Sequence, residues 1–323
     1  YDNTTGQENT ALGKDTLANN TTANRNTAIG YSVLTANSTG ADNTGVGHGA
    51  LYSNTTADKN TAVGFNALFT NTTGNYNTAV GRGSLDANTT GTANSALGMY
   101  SLSENSTGDY NTALGYEALA ETTVDGNTAV GYGAGNKNTT GVGNVAVGFR
   151  ARRYGTGQNY ATAIGYEAYQ GANGYNSGAD HNTALGYNAL KADNSGANNT
   201  AIGSAALVAV TTGNYNTAVG HAAGEALTTG DGNTIVGQEA GEDCTGSNNT
   251  LIGRQAAKEL TTGNLNTVIG PSGIAPNLTT GTRNVYIGYE VAPANGSDTL
   301  MIGSGNETHS GNFTNHGFIG PGG

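Results

Sequence analysis

Asn60-Thr-Ala-Val-Gly-Phe-Asn-Ala-Leu-Phe-Thr-Asn-Thr-Thr-Gly-Asn-Tyr76 is followed at once by Asn77-Thr-Ala-Val-Gly-Arg-Gly-Ser-Leu-Asp-Ala-Asn-Thr-Thr-Gly-Thr-Ala93, and the second stretch is the first rewritten, 17 residues on. A glycine after an aliphatic residue marks the same phase along the whole chain: Gly13, Gly30, Gly47, Gly64, Gly81, Gly98, Gly115, Gly131, Gly148, Gly165, Gly186, Gly203, Gly220, Gly237, Gly253, Gly270, Gly288, Gly303 and Gly320. The steps are 17 residues except those ending at Gly131, Gly186, Gly253, Gly288 and Gly303, which are 16, 21, 16, 18 and 15. A fixed short period decides architecture before local propensity does. It predicts an all-β parallel β-solenoid of about nineteen 17-residue coils. At about 4.8 Å per coil the rod would be on the order of 90 Å long.

Composition agrees with that reading. Charged residues make up 11% of the chain and aromatics 7%, Trp is absent, and there are 53 Gly. So few large apolar groups cannot fill a wide globular core, and on hydrophobicity alone the chain would be disordered. Stacked coils supply the missing order, because each strand bonds to its copies above and below and like side chains align in columns. The length would allow two domains. The unbroken register predicts a rod over 1–288 with an irregular insertion at 171–181, then irregular coils and a cap over 289–323, where Phe313, Phe318 and Pro321 depart from the pattern.

Within a coil, Asn-Thr-Ala-Val-Gly reads as a short strand ended by a glycine free to turn left-handed. The Ala-Leu pair reads as a second short strand, and Asn-Thr-Thr-Gly as turn chemistry. Helix is not expected, since glycine interrupts every window long enough to hold one. The residue before the ruler glycine is always aliphatic; two before it stands Ala or Gly from Ala11 to Ala218, then Ile235, Leu251, Val268, Tyr286, Met301 and Phe318. Neighbouring strand positions face opposite ways. The small column therefore suits a narrow interior, and the aliphatic column, including Val46, Val63, Val80, Leu97, Leu114 and Val130, faces outward. A long apolar stripe cannot be left in water, which points to an oligomer, most simply a homotrimer. The alternative is a monomer filled jointly by the aliphatic column and by Leu17, Leu34, Leu51, Leu68, Leu85, Leu102 and Leu119. Against it, Gly135, Arg152, Tyr169, Gly224 and Gly241 replace that leucine later.

The Asn-Thr-Ala-[Ile/Val]-Gly-Tyr-x-Ala-Leu-x-x-Asn-Thr-Thr-Gly repeat resembles the arrays in tail-fibre-domain proteins of phages and bacteria, many of which end in an endosialidase-type intramolecular chaperone. More distantly it is similar to the head repeats of trimeric autotransporter adhesins. The resemblance covers nearly the whole chain and implies left-handed β-rolls in a trimer. Asn284-Val-Tyr-Ile-Gly288, Thr299-Leu-Met-Ile-Gly303 and Phe318-Ile-Gly320 resemble the transition that precedes the chaperone. It also implies an extracellular, cell-surface or virion-associated fibre that projects and adheres, with a surface glycan or receptor as partner. A secreted filament growing end to end is the alternative, since open solenoid ends template growth.

Other chemistries find little support. His48, His181, His221, His309 and His316 form no constellation with carboxylates, and no catalytic order, metal spacing or phosphate loop rises above the repeat. No cofactor is called for. The acidic residues lack the spacing of calcium-binding nonapeptide solenoids. A net charge of −11 disfavours nucleic acid. The single Cys244 excludes an internal disulfide framework and reads as a small turn residue. The residues contain no signal-peptide pattern and no apolar run long enough to span a membrane; Tyr1 falls inside a coil, so more chain is expected before it. Thr27, Thr44, Thr61, Thr78, Thr112 and Thr128 form a rank of the kind an ice-binding face uses, but paired with aliphatics and interrupted by Val145, Val285 and Leu300.

Two candidate sites remain. Asn20, Asn37, Asn54, Asn71, Asn88, Asn105 and Asn138 begin Asn-x-Ser/Thr sequons in one column, a potential glycan stripe, although turn chemistry alone explains them better. Around the insertion, Arg150, Arg152 and Arg153 with Tyr154, Tyr166, Tyr169 and Tyr175 would offer a surface for sugars or anions, or else an ordinary loop with a basic patch.

Overall fold

A computed structural model of the chain describes residues 3–171, 179–271, 274–289, 291 and 295–304. They fall into two compact units, Tyr1–Tyr160 and Ala161–Gly323. The first carries β1 (Thr10–Leu12), β2 (Thr27–Tyr31), β3 (Thr44–His48), β4 (Thr61–Val63), β5 (Thr78–Val80), β6 (Ser95–Leu97), β7 (Thr112–Leu114), β8 (Thr128–Val130) and β9 (Val145–Val147). The second carries β10 (Thr162–Ile164), β11 (Thr183–Leu185), β12 (Thr200–Ile202), β13 (Thr217–Val219), β14 (Thr234–Val236), β15 (Thr250–Ile252), β16 (Thr267–Ile269), β17 (Val285–Tyr289) and β18 (Leu300–Ser304). Within each unit every strand pairs in parallel with the next, like residue on like residue: Thr61 on Thr78, Ala62 on Ala79, Val63 on Val80. The protein is a β-solenoid of about 17-residue coils, with no helix among the described residues. Coil pairing continues past residue 288, since Tyr289 of β17 lies opposite Ser304 of β18.

Each coil holds one strand, not two. The Ala-Leu pair expected as a second strand lies in a turn, because the leucine backbone is left-handed: Leu68 has φ 50°, and Asn66 and Tyr76 in the same coil have φ 54° and 61°. A left-handed leucine costs about 1–2 kcal/mol. Complete burial of Leu68 returns about 1.5–3 kcal/mol, so burial wins. The ruler glycine has a different reason. Gly81 has φ 136°, a region essentially closed to other residues, and a Cβ there would stand 2.5 Å from the carbonyl oxygen of Gly98 in the next coil.

The interior is built from columns. Ala62, Ala67 and Leu68 are fully buried, and so are Asn60 and Asn71. These two asparagines close the coil's hydrogen-bond account. The Asn60 Oδ1 accepts the backbone N–H of Asn77 at 2.8 Å, and its Nδ2 donates to the Gly74 carbonyl at 2.9 Å. The Asn71 Nδ2 donates to Asn54 Oδ1 and to Gly74 O, each at 3.0 Å, and its Oδ1 accepts from Asn88 Nδ2 at 2.8 Å. Because a buried polar group without a partner costs about 1–3 kcal/mol, ladders that continue from coil to coil make asparagine a core residue here.

In the second unit the columns trade volume. The small column becomes Ile235, Leu251 and Val268, and the Asn71-type column becomes Val210, Leu227, Cys244, Leu260 and Leu278. The leucine column shrinks in return to Gly224, Gly241, Ala257 and Ala275. The exchange is forced: a Cβ on Gly241 would lie 2.5 Å from Leu251 Cδ1, and one on Gly224 would lie 2.9 Å from Ile235 Cδ1. The small-to-large switch of that column from Ile235 onward is thus a redistribution of bulk in a cross-section of fixed size.

Candidate functional site

With the interior closed, function must lie on the outside. Each strand presents outward its Thr, its aliphatic residue and the residue after the ruler glycine, while the small residue between faces in. The aliphatic column is the outward one, as the alternation implied; Leu97 is 50% and Leu114 42% exposed. Between the Thr78, Ser95 and Thr112 row and the Val80, Leu97 and Leu114 row runs a shallow apolar trough. Val46, Val63 and Val130 lie in the same column. The Thr rank shares this face, so any flat polar lattice is broken by the aliphatic row beside it.

Beside the aliphatic row stands an aromatic one. Tyr31, His48 and Phe65 stack at centroid spacings of 5.0 and 4.9 Å, and Tyr116, Tyr132 and Phe149 at 5.4 and 5.2 Å. Tyr166 and Tyr187 stack likewise in the second unit. The flat faces of these rings are turned to one another, so the row offers edges to solvent. Guanidiniums extend it: Arg82 lies over Phe65 and Tyr100, and Arg150 over Tyr132 and Phe149. From β12 to β15 the row is polar, as Ser204, His221, Gln238 and Arg254, before an aromatic returns at Tyr289. In the polar stretch Gln255 and Lys258 hold the Glu239 carboxyl down to about 2.

The candidate basic surface does not come together. Arg150, Arg153 and Tyr154 are half-buried on the outside, Tyr166 belongs to the aromatic row, and Tyr175 lies outside the described residues, as does most of the 171–181 insertion. Arg152 and Tyr169 are in the interior. The reason lies three residues after Arg152, where the ladder asparagine is replaced by Gly155. Arg152 Nη1 donates to Asn138 Oδ1 at 3.2 Å and to Gly155 O at 3.4 Å, and Nη2 to Gln158 O at 2.7 Å, the bonds a ladder asparagine would make. Tyr169 does the same in the second unit: its hydroxyl donates to Ala179 O at 3.0 Å and accepts from Asn182 Nδ2 at 2.9 Å.

The glycan stripe is corrected on the same ground. Asn20, Asn37, Asn54, Asn71, Asn88, Asn105 and Asn138 are all buried, with their amide nitrogens committed to interior carbonyls. A folded coil has no room for a sugar there. Cys244 also occupies this interior column, where burial pushes its thiol up to about 11. Asp193 sits there too, accepting the Gly196 N–H at 2.8 Å and Asn182 Nδ2 at 3.1 Å, and burial pushes its carboxyl up to about 7.

Among the described residues no three His, Cys, Asp or Glu side chains gather to hold a metal, and no helix is long and apolar enough to cross a membrane. By fold and surface the chain is a β-solenoid with a closed interior and an apolar outward face. No protein-family model, curated protein or solved structure matches it.

Proposed function

We propose that the chain is the shaft of an extracellular fibre or adhesin carried on a cell or virion surface, in which copies of the rod assemble through the outward aliphatic face, most simply three around a common axis. The observation that carries the reading is the outward aliphatic column itself, exposed or half-buried in every described coil although the interior is complete without it. A contiguous apolar stripe of this kind marks an interaction surface. The likeness of the repeat to tail-fibre arrays supports the same assignment, and the work of such a segment is to project and adhere, not to catalyse.

Native mass measurement with Val80→Asp tests it. The side chain faces outward, so the carboxylate leaves the coil interior intact while burying a charge in any shared face. The wild type should weigh three chains, and the variant should fall to single chains that keep the β spectrum. A wild-type mass of one chain, or an unaltered assembly in the variant, would sink the proposal.

A further inference from the structure

A second outward feature lies at the corner before each strand. The corner residue is left-handed in every coil of the first unit from Arg25 onward, reading Arg25, Asp42, Lys59, Tyr76, Ala93, Tyr110, Gly126, Gly143 and Tyr160. Asp, Asn and Gly accept that backbone readily; a bulky residue does so at a cost of about 1–2 kcal/mol. The left-handed leucines of the interior column, such as Leu68, recover the cost by burial, whereas Leu265 holds its corner exposed. The tyrosines do not recover it, for Tyr76, Tyr110 and Tyr160 are 59%, 69% and 60% exposed. Arg25 and Lys59 share that backbone in the same column, and Tyr215 holds it exposed in the second unit, so the conformation belongs to the coil, and what Tyr76, Tyr110 and Tyr160 add is exposed ring surface.

The corner is also cleared between the rings. Only Ala93 separates Tyr76 from Tyr110, and only Gly126 and Gly143 separate Tyr110 from Tyr160. The Tyr160 ring lies down in that gap, since a Cβ on Gly143 would stand 2.9 Å from its Cδ1. Lys59 Nζ, 5.0 Å from the centre of the Tyr76 ring and 3.3 Å from its hydroxyl, steadies that ring from one side. Thr73, Thr90, Thr107 and Thr140 are exposed on the turn leading to the corner, and Asp109 and Asp125 adjoin it.

We propose that this corner binds a neutral, extended, β-linked polysaccharide lying along the coil stack. The rings are two and three coil steps apart, about 10 and about 14 Å. An extended β-linked pyranose chain advances close to one coil step per sugar, so the first, third and sixth sugars of a hexasaccharide meet Tyr76, Tyr110 and Tyr160. The C–H faces of those sugars stack on the rings, and hydroxyls between them meet Thr and Asp side chains. The neighbouring carboxylates and the net charge of −11 disfavour an acidic glycan. The site goes beyond the assembly reading and does not depend on it, because a single chain carries the whole corner.

Calorimetric titration of the full chain with cellohexaose and chitohexaose tests it, with cellotriose, chitotriose and the curved α-linked maltohexaose as comparators. At least one β-linked hexasaccharide should bind, its trisaccharide at least about tenfold more weakly, and maltohexaose not at all. Tyr110→Asn, which suits the left-handed backbone, should weaken binding about tenfold. Tyr76→Asn/Tyr110→Asn/Tyr160→Asn should abolish it with the assembly mass and β spectrum unchanged. Absence of binding by both β-linked hexasaccharides, equal binding of hexa- and trisaccharide, or undiminished binding by the triple variant would overturn the proposal. A triple variant with altered assembly mass would overturn it as well, by making the corner a contact between chains.

Discussion

Exchanging bulk between two interior columns of one coil should reproduce, in the first unit, the packing that the second unit uses. The perturbation is the pair Leu68→Ala and Asn71→Leu. In the wild type Leu68 and Asn71 face the interior from one turn, closed by the Asn71 N–H on the Leu68 carbonyl at 3.4 Å. The same turn in the second unit holds Gly224 and Leu227, with the Leu227 N–H on the Gly224 carbonyl at 3.1 Å. Leu68→Ala alone opens a cavity and should cost about 2–5 kcal/mol. Asn71→Leu alone overfills the coil, at about 1–3 kcal/mol. It also strips Asn54 Oδ1 of the amide that donates to it at 3.0 Å and takes one acceptor from Asn88 Nδ2, which keeps Gly91 O, a further cost of about 1–3 kcal/mol. In the double variant the leucine at 71 occupies the space vacated at 68, so cavity and overpacking relieve each other. The orphaned Asn54 oxygen stays. The double variant should therefore be less stable than wild type by only the orphan's share, with a favourable coupling of about 1–3 kcal/mol between the two sites. Hydrogen exchange read by mass spectrometry suits a stack in which each coil opens against its neighbours. The amides between Asn54 and Asn94 should show the coupling. Additive costs, agreeing within about 0.5 kcal/mol, would refute the idea that the columns share one fixed volume.

Two further outcomes follow from the interior. Arg152→Leu should destabilise its coil by about 1–3 kcal/mol by orphaning Asn138 Oδ1 and by taking from Gln158 O one of its two side-chain donors, the other being Asn144 Nδ2 at 2.9 Å, and Arg152→Leu/Gly155→Asn should recover most of the loss by restoring the usual pair; hydrogen exchange at residues 138–158 reads both. Asp193 has a folded pKa pushed up to about 7, so the folded chain holds its proton more tightly than the unfolded one, and stability should fall as pH rises from about 4 through 7, by at most about 4 kcal/mol. In Asp193→Asn that part of the pH dependence should vanish, which thermal melts of both proteins at pH 4.5 and 8 will show.

The period and the strand were legible because both are written in residues with one physical use. Gly81 cannot be replaced at φ 136° against a carbonyl oxygen, and the Thr-Ala-Val alternation fixes which side chain turns inward. The second strand was misread because nothing in Ala67-Leu68 announces a left-handed backbone; leucine is among the last residues expected there, and only its burial makes the conformation tolerable. Arg152 was misread because an isolated charge reads as surface. The signal that could have placed it was Gly155, a missing ladder asparagine in the same coil. The asparagine columns gave a similar hint. Surface corners drift from coil to coil, as Asp58, Asn75, Thr92 and Asp109 do, whereas Asn26, Asn43, Asn60, Asn77, Asn94, Asn111, Asn127 and Asn144 do not drift at all. A polar column that holds through coil after coil is here an interior column, interrupted among the described coils by Ala161 and Thr299.

That rule separates the two outward features from the core. From Gly224 to Ala275 the interior positions exchange Ala for Ile, Leu for Gly and Asn for Leu, and these changes answer one another inside the same cross-section. The outward aliphatic column takes no part in this exchange. It packs against no interior partner, yet it stays Leu, Ile or Val from Leu12 to Ile302 while the row beside it varies from Tyr31 and Phe65 to Arg82, Ser204, Gln238 and Tyr289. A position free of internal packing that nevertheless keeps its chemistry answers to something outside the coil, and a second copy of the same column is the partner that would demand one residue type at every step. The tyrosine corner follows the opposite rule: the column drifts through Arg25, Asp42 and Lys59, and from Tyr76 to Tyr160 it alternates between large rings and residues too small to obstruct them. A repeating partner made of the same chain would call for uniformity there as well. An extended ligand touching some steps and merely passing over others would call for the alternation that Tyr76, Ala93, Tyr110, Gly126, Gly143 and Tyr160 display.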